Sequence, residues 1–190
     1  MAIKIYIDQG HNPTGSPNTG ASWYGQQEQD VTYAVGQYLA GMLRQDGRFE
    51  VRLSRPTEDT VLGTNNSSSL TARVNEANAW RADIFISLHN NAAENPNATG
   101  NEALVYGPGA VVANELAEDI LEQLTLTTGL RNRGIVYRPG LYVLKETEMP
   151  AVLVEMGFIT NSYDAELLAY SPYLFATGIY RGILQYYGLL

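Results

Sequence analysis

Two histidines are all the imidazole this 190-residue chain possesses, and each stands where an apolar run gives way to polar residues. His11 follows Ile3-Lys4-Ile5-Tyr6-Ile7-Asp8-Gln9-Gly10, and His89 follows Ile84-Phe85-Ile86-Ser87-Leu88. A third run, Ala151-Val152-Leu153-Val154, ends in Glu155. Short runs rich in β-branched residues read as strands buried on both faces. Ligands of open α/β sheets bind outside the C-terminal ends of such strands, so the pattern predicts that these three side chains share one rim. Groups of this kind hold a metal ion or move a proton.

A hydrolytic zinc site uses three protein ligands and keeps a fourth position for water. The chain has no cysteine, which excludes thiolate sites and disulfides. With two histidines, a His-His-carboxylate set is the common solution that remains. Glu28 leads the carboxylates because it starts the first helix, where the loop after His11 brings the chain back to the same rim. Asp8 and Asp30 stay as alternatives: Asp8 lies in the strand and can orient His11 from behind, while Asp30 points roughly 200° around the helix from Glu28. Glu155 is expected to remain unliganded. At the end of an apolar strand it is partly desolvated, which raises its pKa and suits it to accept a proton from a zinc-bound water nucleophile and pass it to a leaving amine. Zinc itself lowers the pKa of that water to about 7 and polarises a carbonyl. Amide or ester hydrolysis is the expected reaction class. The plainer alternatives are histidines that merely finish strands, and a Glu28 favoured by the positive end of a helix dipole.

The elements that must position these groups are also readable. Val31, Val35, Tyr38, Leu39 and Met42 lie on one helical face, and Asp46-Gly47 ends that helix. Phe49 to Leu53 alternates as a strand, and Pro56 to Ser69 reads as a long polar loop. Leu70, Val74 and Ala77 mark a second helix with a serine as its cap. Ala103 to Tyr106 reads as a strand, Val112 to Leu124 as a helix, and Ile135–Tyr137 and Tyr142–Leu144 as short β-like pieces. Ser171-Pro172 opens the last helix. Strands alternating with helices predict a single α/β domain over residues 1–190, a mostly parallel twisted sheet of about six strands with helices on both faces. Composition agrees with a globular chain, at 45% hydrophobic and 17% charged residues. A net charge of -8 argues against nucleic acid as a partner. No apolar run approaches the roughly 18 residues that a membrane span requires, so no membrane insertion is expected. The chain enters strand pattern at once with no secretory leader, and it reads as a domain of a longer exported protein.

Several blocks together resemble the zinc-dependent N-acetylmuramoyl-L-alanine amidases of bacterial cell separation, spore-wall lysis and phage endolysins. They are Ile5-Tyr6-Ile7-Asp8-Gln9-Gly10-His11, Glu28, Ser87-Leu88-His89-Asn90-Asn91-Ala92 and Pro150 to Phe158. Connecting segments such as Leu70-Thr71-Ala72-Arg73 and Arg133-Gly134 also match, in order along nearly the whole chain. The resemblance implies that His11, Glu28 and His89 bind one zinc ion and that Glu155 is catalytic. It implies cleavage of the amide between the lactyl group of N-acetylmuramic acid and L-alanine in peptidoglycan, outside the cell or at its wall, with wall-binding domains possible in a longer parent chain. Gln9, Asn12 and Pro13 depart from the family's first block, so the loop after His11 is expected to run differently. No room is left between Glu102 and Glu155 for the plugging helix of some members, which predicts an uncapped cleft. Trp23, Tyr24, the loop from Thr64 to Ser69, Asn91 and Arg133 are candidate substrate contacts, Arg133 for a stem-peptide carboxylate. Two rivals stand beside this reading: a zinc peptidase acting within the stem peptide, and a wall-binding module without catalysis.

Overall fold

A computed structural model describes residues 2–23 and 25–190 of the chain. β1 (Ile3–Gln9) leads through a hairpin of β2 (Ser22–Trp23) and β3 (Gln26–Gln27) into α1 (Glu28–Asp46). β4 (Phe49–Leu53), α2 (Asn66–Trp80) and β5 (Ile84–Asn91) follow, then β6 (Asn101–Val105), α3 (Val111–Thr128) and β7 (Asn132–Tyr137). α4 (Tyr142–Lys145), β8 (Ala151–Phe158), α5 (Ser162–Tyr170) and α6 (Pro172–Tyr186) complete the fold. The main sheet has the order β4-β1-β5-β8-β6-β7. β4, β1, β5 and β8 run parallel. β6 is antiparallel to β8 and carries β7 parallel to itself. This is the six-stranded, mostly parallel α/β sheet that the alternation of strands and helices predicts.

Alternation along each strand divides the side chains between two layers. Ile5, Ile7, Ile86, Leu88, Val152 and Val154 pack with residues of α1, α3 and α6. Tyr6, Phe85, Leu104 and Leu153 pack on the other face with Val74 and Trp80 of α2 and Val143 of α4. His89, Glu155 and Glu102 share the parity of Phe85, Leu153 and Leu104, so they belong to the α2/α4 face, just past its apolar layer.

Some elements differ from their sequence reading. α2 starts at Asn66, so the polar loop before it is shorter than expected and its last residues are helical. The cap is Asn65, whose side chain accepts from Ser68 N–H while the Ser68 hydroxyl accepts from Asn65 N–H. This reciprocal pair satisfies two of the otherwise orphaned donors at the helix start. Tyr142–Leu144 is helical, because its alternation is too short to distinguish a strand from one buried turn. α5 has only a narrow buried stripe and is announced chiefly by Asn161, which caps it by accepting from Tyr163 and Asp164 N–H.

One buried cation ties the exit of β1 to its neighbours. Arg73 on α2 donates through Nη1 to Asp8 Oδ1 (2.5 Å), the Gln9 carbonyl (2.7 Å) and Ser54 Oγ (3.2 Å). Through Nη2 it donates to the His11 carbonyl (2.6 Å) and Asn12 Oδ1 (3.2 Å). Ser87 on β5 donates to the other Asp8 oxygen. Burial alone would raise the Asp8 pKa, but the Arg73 charge together with the hydrogen bonds from Ser87 and Arg73 outweighs it, and the net shift is downward. Breaking a buried pair strands the remaining charge, so Arg73→Met is expected to cost about 3–5 kcal/mol in urea denaturation near neutral pH. Adding Asp8→Asn to that variant should recover part of the loss, and additive losses from the two substitutions would contradict the pairing.

Candidate metal centre

His11 leaves β1 at φ 69°, in the left-handed region that side chains seldom adopt. Arg73 holds its carbonyl there, and the turn aims the imidazole back across the sheet rim. Gly10, just before it, has no room for a side chain: a Cβ would come within 2.5 Å of the Leu88 carbonyl and 2.6 Å of the His89 ring. Glu28 opens α1 and folds over the same rim. Its Oε1 lies 3.1 Å from His11 Nε2 and 3.0 Å from His89 Nδ1. The Asn90 N–H also donates to Oε1 (3.0 Å), and the Ala21 N–H donates to Oε2 (2.9 Å). Burial would raise the Glu28 pKa, yet hydrogen bonds from the two imidazoles outweigh it and hold the carboxyl well below its usual range.

The three side chains fit a divalent cation. One ligand atom from each lies within 4.8 Å of the others. A tetrahedral site with bonds of about 2.0–2.1 Å has ligand–ligand edges of about 3.3 Å, close to the two separations at Glu28. His11 Nδ1 is buried without a hydrogen-bond partner among the described residues, and the ring packs edge-on against that of His89, with centroids 4.8 Å apart. The imidazole side chains remain 19% and 20% exposed, which leaves the centre open to a substrate.

The alternatives and rim candidates fall elsewhere. Asp8 makes no hydrogen bond to the His11 ring among the described residues; it acts on that residue's backbone through Arg73. Asp30 lies two residues beyond Glu28 on α1 and is exposed. Trp23 is 39% exposed on the β2–β3 hairpin, and Tyr24 lies outside the described residues. Within the segment from Thr64 to Ser69, Asn65 and Ser68 are engaged in capping α2, and Ser69 accepts from Asn18. Gln9 and Asn12 are both buried. Gln9 binds Arg55 N–H and the Tyr33 carbonyl, and Asn12 binds Pro17 and both backbone groups of Leu62. The loop after His11 is therefore tied down by the very residues that depart from the family pattern. Asn91 and Arg133 both hold Glu102, at 2.8 Å and 3.0 Å, and Arg133 lies over the Phe158 ring. Glu102 is the residue that sequence reasoning misses: it reaches this rim only because β6 runs antiparallel to β8, which no local pattern reports.

Comparison with known proteins agrees with this arrangement. The family model for N-acetylmuramoyl-L-alanine amidase matches residues 5–185. The chain belongs to that family. It is 38% identical to N-acetylmuramoyl-L-alanine amidase CwlM of Bacillus licheniformis, over 98% of this chain and 70% of that protein. It is 37% identical to the amidase LytC of Bacillus subtilis over 96% of this chain but only 35% of LytC. The catalytic domain of the amidase CwlV from Bacillus (Paenibacillus) polymyxa superposes with a TM-score of 0.84 at 29% identity, covering 99% of both chains. An amidase from Clostridium difficile gives 0.86 at 31% identity, over 98% of this chain and 97% of that one. The enzyme class expected from the sequence, an amidase, is the class of this family.

In this amidase, Glu155 lies opposite His89 on β5 and opposite Glu102 on β6. Its Oε2 is buried with no hydrogen-bond partner among the described residues. Burial, followed by the negative charges of Glu28 and Glu102, pushes its pKa up to about 8. The sign of the stability effect follows directly. Between the ordinary carboxylate pKa of 4.5 and about 8, the unfolded chain has released this proton while the fold still holds it. The fold therefore loses stability as pH rises through that window. Glu155→Gln removes the loss. With chelator present, the variant is expected to exceed the parent by on the order of 1–3 kcal/mol at about pH 9 and to match it near pH 4. Equal thermal melts at the higher pH would contradict the raised pKa.

Proposed function

We propose that this chain is a zinc-dependent catalytic unit over residues 1–190 that hydrolyses the amide between the lactyl group of N-acetylmuramic acid and the L-alanine of the peptidoglycan stem peptide. The observation that carries the reading is the meeting of His11 Nε2 and His89 Nδ1 on one buried Glu28 oxygen, with Glu155, whose Oε2 has no hydrogen-bond partner among the described residues, on the strand next to that of His89. His11, Glu28 and His89 would hold the ion. Zinc, when bound, supplies a Lewis acid for the scissile carbonyl and lowers the pKa of water to about 7.

The protein's own groups do the rest. Asn90 and Ala21 N–H groups fix the Glu28 carboxylate, so the ligand set is oriented before any ion arrives. Glu155 accepts the proton of the attacking water and returns it to the leaving amine. A carboxyl whose pKa is raised toward the working pH serves both halves of that exchange. Arg133, anchored on Glu102, keeps a partly exposed guanidinium at the rim for a stem-peptide carboxylate, and Trp23 offers an aromatic face to a sugar ring. The site of action in this reading is the cell wall. Among the described residues no helix is long and apolar enough to cross a membrane.

Turnover of a soluble muropeptide, measured beside zinc content, tests the assignment. Glu155→Gln is expected to keep its zinc and lose about 10²–10⁴-fold in kcat. His11→Ala should lose both zinc and turnover. A Glu155→Gln enzyme with near-normal kcat would remove Glu155 from the proton-transfer role.

A further inference from the structure

α5 turns outward a face that the core does not use. Asp164, Ala165 and Leu168 form its buried side, while Tyr163 and Tyr170 are 62% and 81% exposed. The two tyrosines are seven residues apart, so after nearly two turns they stand on one side of the helix, about 10 Å apart along its axis. Between them runs a surface groove of about 220 Å³, lined by Tyr163, Glu166, Leu167, Tyr170 and Ser171. Pockets for whole ligands measure about 300–1,000 Å³, so this groove seats a short unit of something longer. It is also fixed to the rim of the metal centre. Thr160 accepts from the Ala93 N–H (3.0 Å), four residues beyond His89, and Asn161, the cap of α5, donates to the Pro96 carbonyl (2.8 Å). On the other flank Gln26, two residues before Glu28, donates to the Ala165 carbonyl (2.9 Å). The segments that follow His89 and precede Glu28 thus hold α5 between them.

We propose that Tyr163 and Tyr170 form a track for the glycan strand of the wall polymer, seating sugars beyond the one whose lactyl amide is cut. This rests on the amidase reading above. A polymer held at one sugar lays the neighbouring sugars over the surface beside the metal centre. The C–H faces of pyranose rings pack against aromatic rings, and tyrosine offers an apolar body with a polar tip. Stacked in this way, the sugars turn their hydroxyls to the ring edges, where Glu166 accepts and Ser171 accepts or donates. Charge selects the glycan over the peptides attached to it. Among the described residues no lysine or arginine lines the groove, and Glu166 adds a negative group on a chain whose net charge is already -8. Stem-peptide carboxylates are repelled there, whereas neutral sugar hydroxyls donate to the carboxylate.

Two measurements on the zinc-loaded enzyme decide the matter. In ring-proton NMR, a neutral β-1,4-linked N-acetylglucosamine hexamer should shift the Tyr163 and Tyr170 signals, and a free stem tripeptide should leave them in place. In kinetics, the double substitution Tyr163→Ala, Tyr170→Ala should lose about 5–100-fold in kcat/KM on purified peptidoglycan, at roughly two- to tenfold for each lost ring. A soluble N-acetylmuramoyl tripeptide, which carries no neighbouring sugar, should be cut by this variant as by the parent. Tyr163→Phe, Tyr170→Phe keeps both ring faces and should retain most of the activity on the polymer. Tyrosine signals moved by the tripeptide and not by the hexamer would overturn the glycan assignment in favour of a peptide. Equal losses on polymer and soluble substrate would overturn the track and return both tyrosines to a structural role. If thermal melts show that the alanine variant has failed to fold, the titration of the parent decides alone. A parent that cuts neither substrate while the hexamer still shifts both rings would overturn the amidase reading and leave the groove a glycan site.

Discussion

The Arg73 guanidinium is the constraint on which the rest of the site depends. Its two terminal nitrogens serve five acceptors drawn from β1, the turn after it and the segment after β4. A buried cation is costly unless it is paired and its hydrogens are used, and here Asp8 supplies the charge while two backbone carbonyls, Ser54 Oγ and Asn12 Oδ1 take the other terminal N–H donors, Nε alone of the guanidinium having no partner among the described residues. The arrangement does more than neutralise. By holding the His11 carbonyl it fixes a non-glycine residue in the left-handed region, and that turn sends the imidazole toward His89 rather than into solvent. Asn12, bound to the same guanidinium, then ties the following loop to Leu62.

Around this anchor two carboxylates are driven in opposite directions. Glu28 is buried but surrounded by donors, two imidazoles and two backbone N–H groups, so it stays ionised. Glu155 is desolvated next to two other acids, and its Oε2 has no partner among the described residues, so it keeps its proton to a higher pH. Environments that push two acids apart in this way suit them to the different tasks the proposed mechanism gives them, a ligand in one case and a proton carrier in the other. The reversed β6 strand contributes to the split by placing Glu102 across from Glu155, while Asn91 and Arg133 keep Glu102 in position.

Much of this fold and its rim is legible in the order of the residues. The strands that deliver His11, His89 and Glu155 are apolar runs with one polar terminus, and such runs predict both the sheet and its functional rim. Glu28 is readable because it begins a long amphipathic helix just after the first rim loop. What stays hidden is non-local or too short to be periodic. The reversal of β6 depends on pairing across the sheet, so Glu102 looks like an ordinary strand residue. Arg73 lies in a helix whose neighbours give no sign that its side chain points into the protein. The turn at Tyr142–Leu144 is shorter than either periodicity, and α5 buries too little apolar surface to announce itself. Asn91 and Arg133 are legible as polar groups near the rim, but their shared partner is not.

The most direct test of the central claim is mass spectrometry of the soluble products released from purified peptidoglycan, with and without a chelator. The account predicts intact stem peptides bearing a free L-alanine amine, lost on chelation and restored by zinc. Shortened peptides with muramic acid still attached to L-alanine, or release of stem peptides that a chelator leaves unchanged, would contradict it.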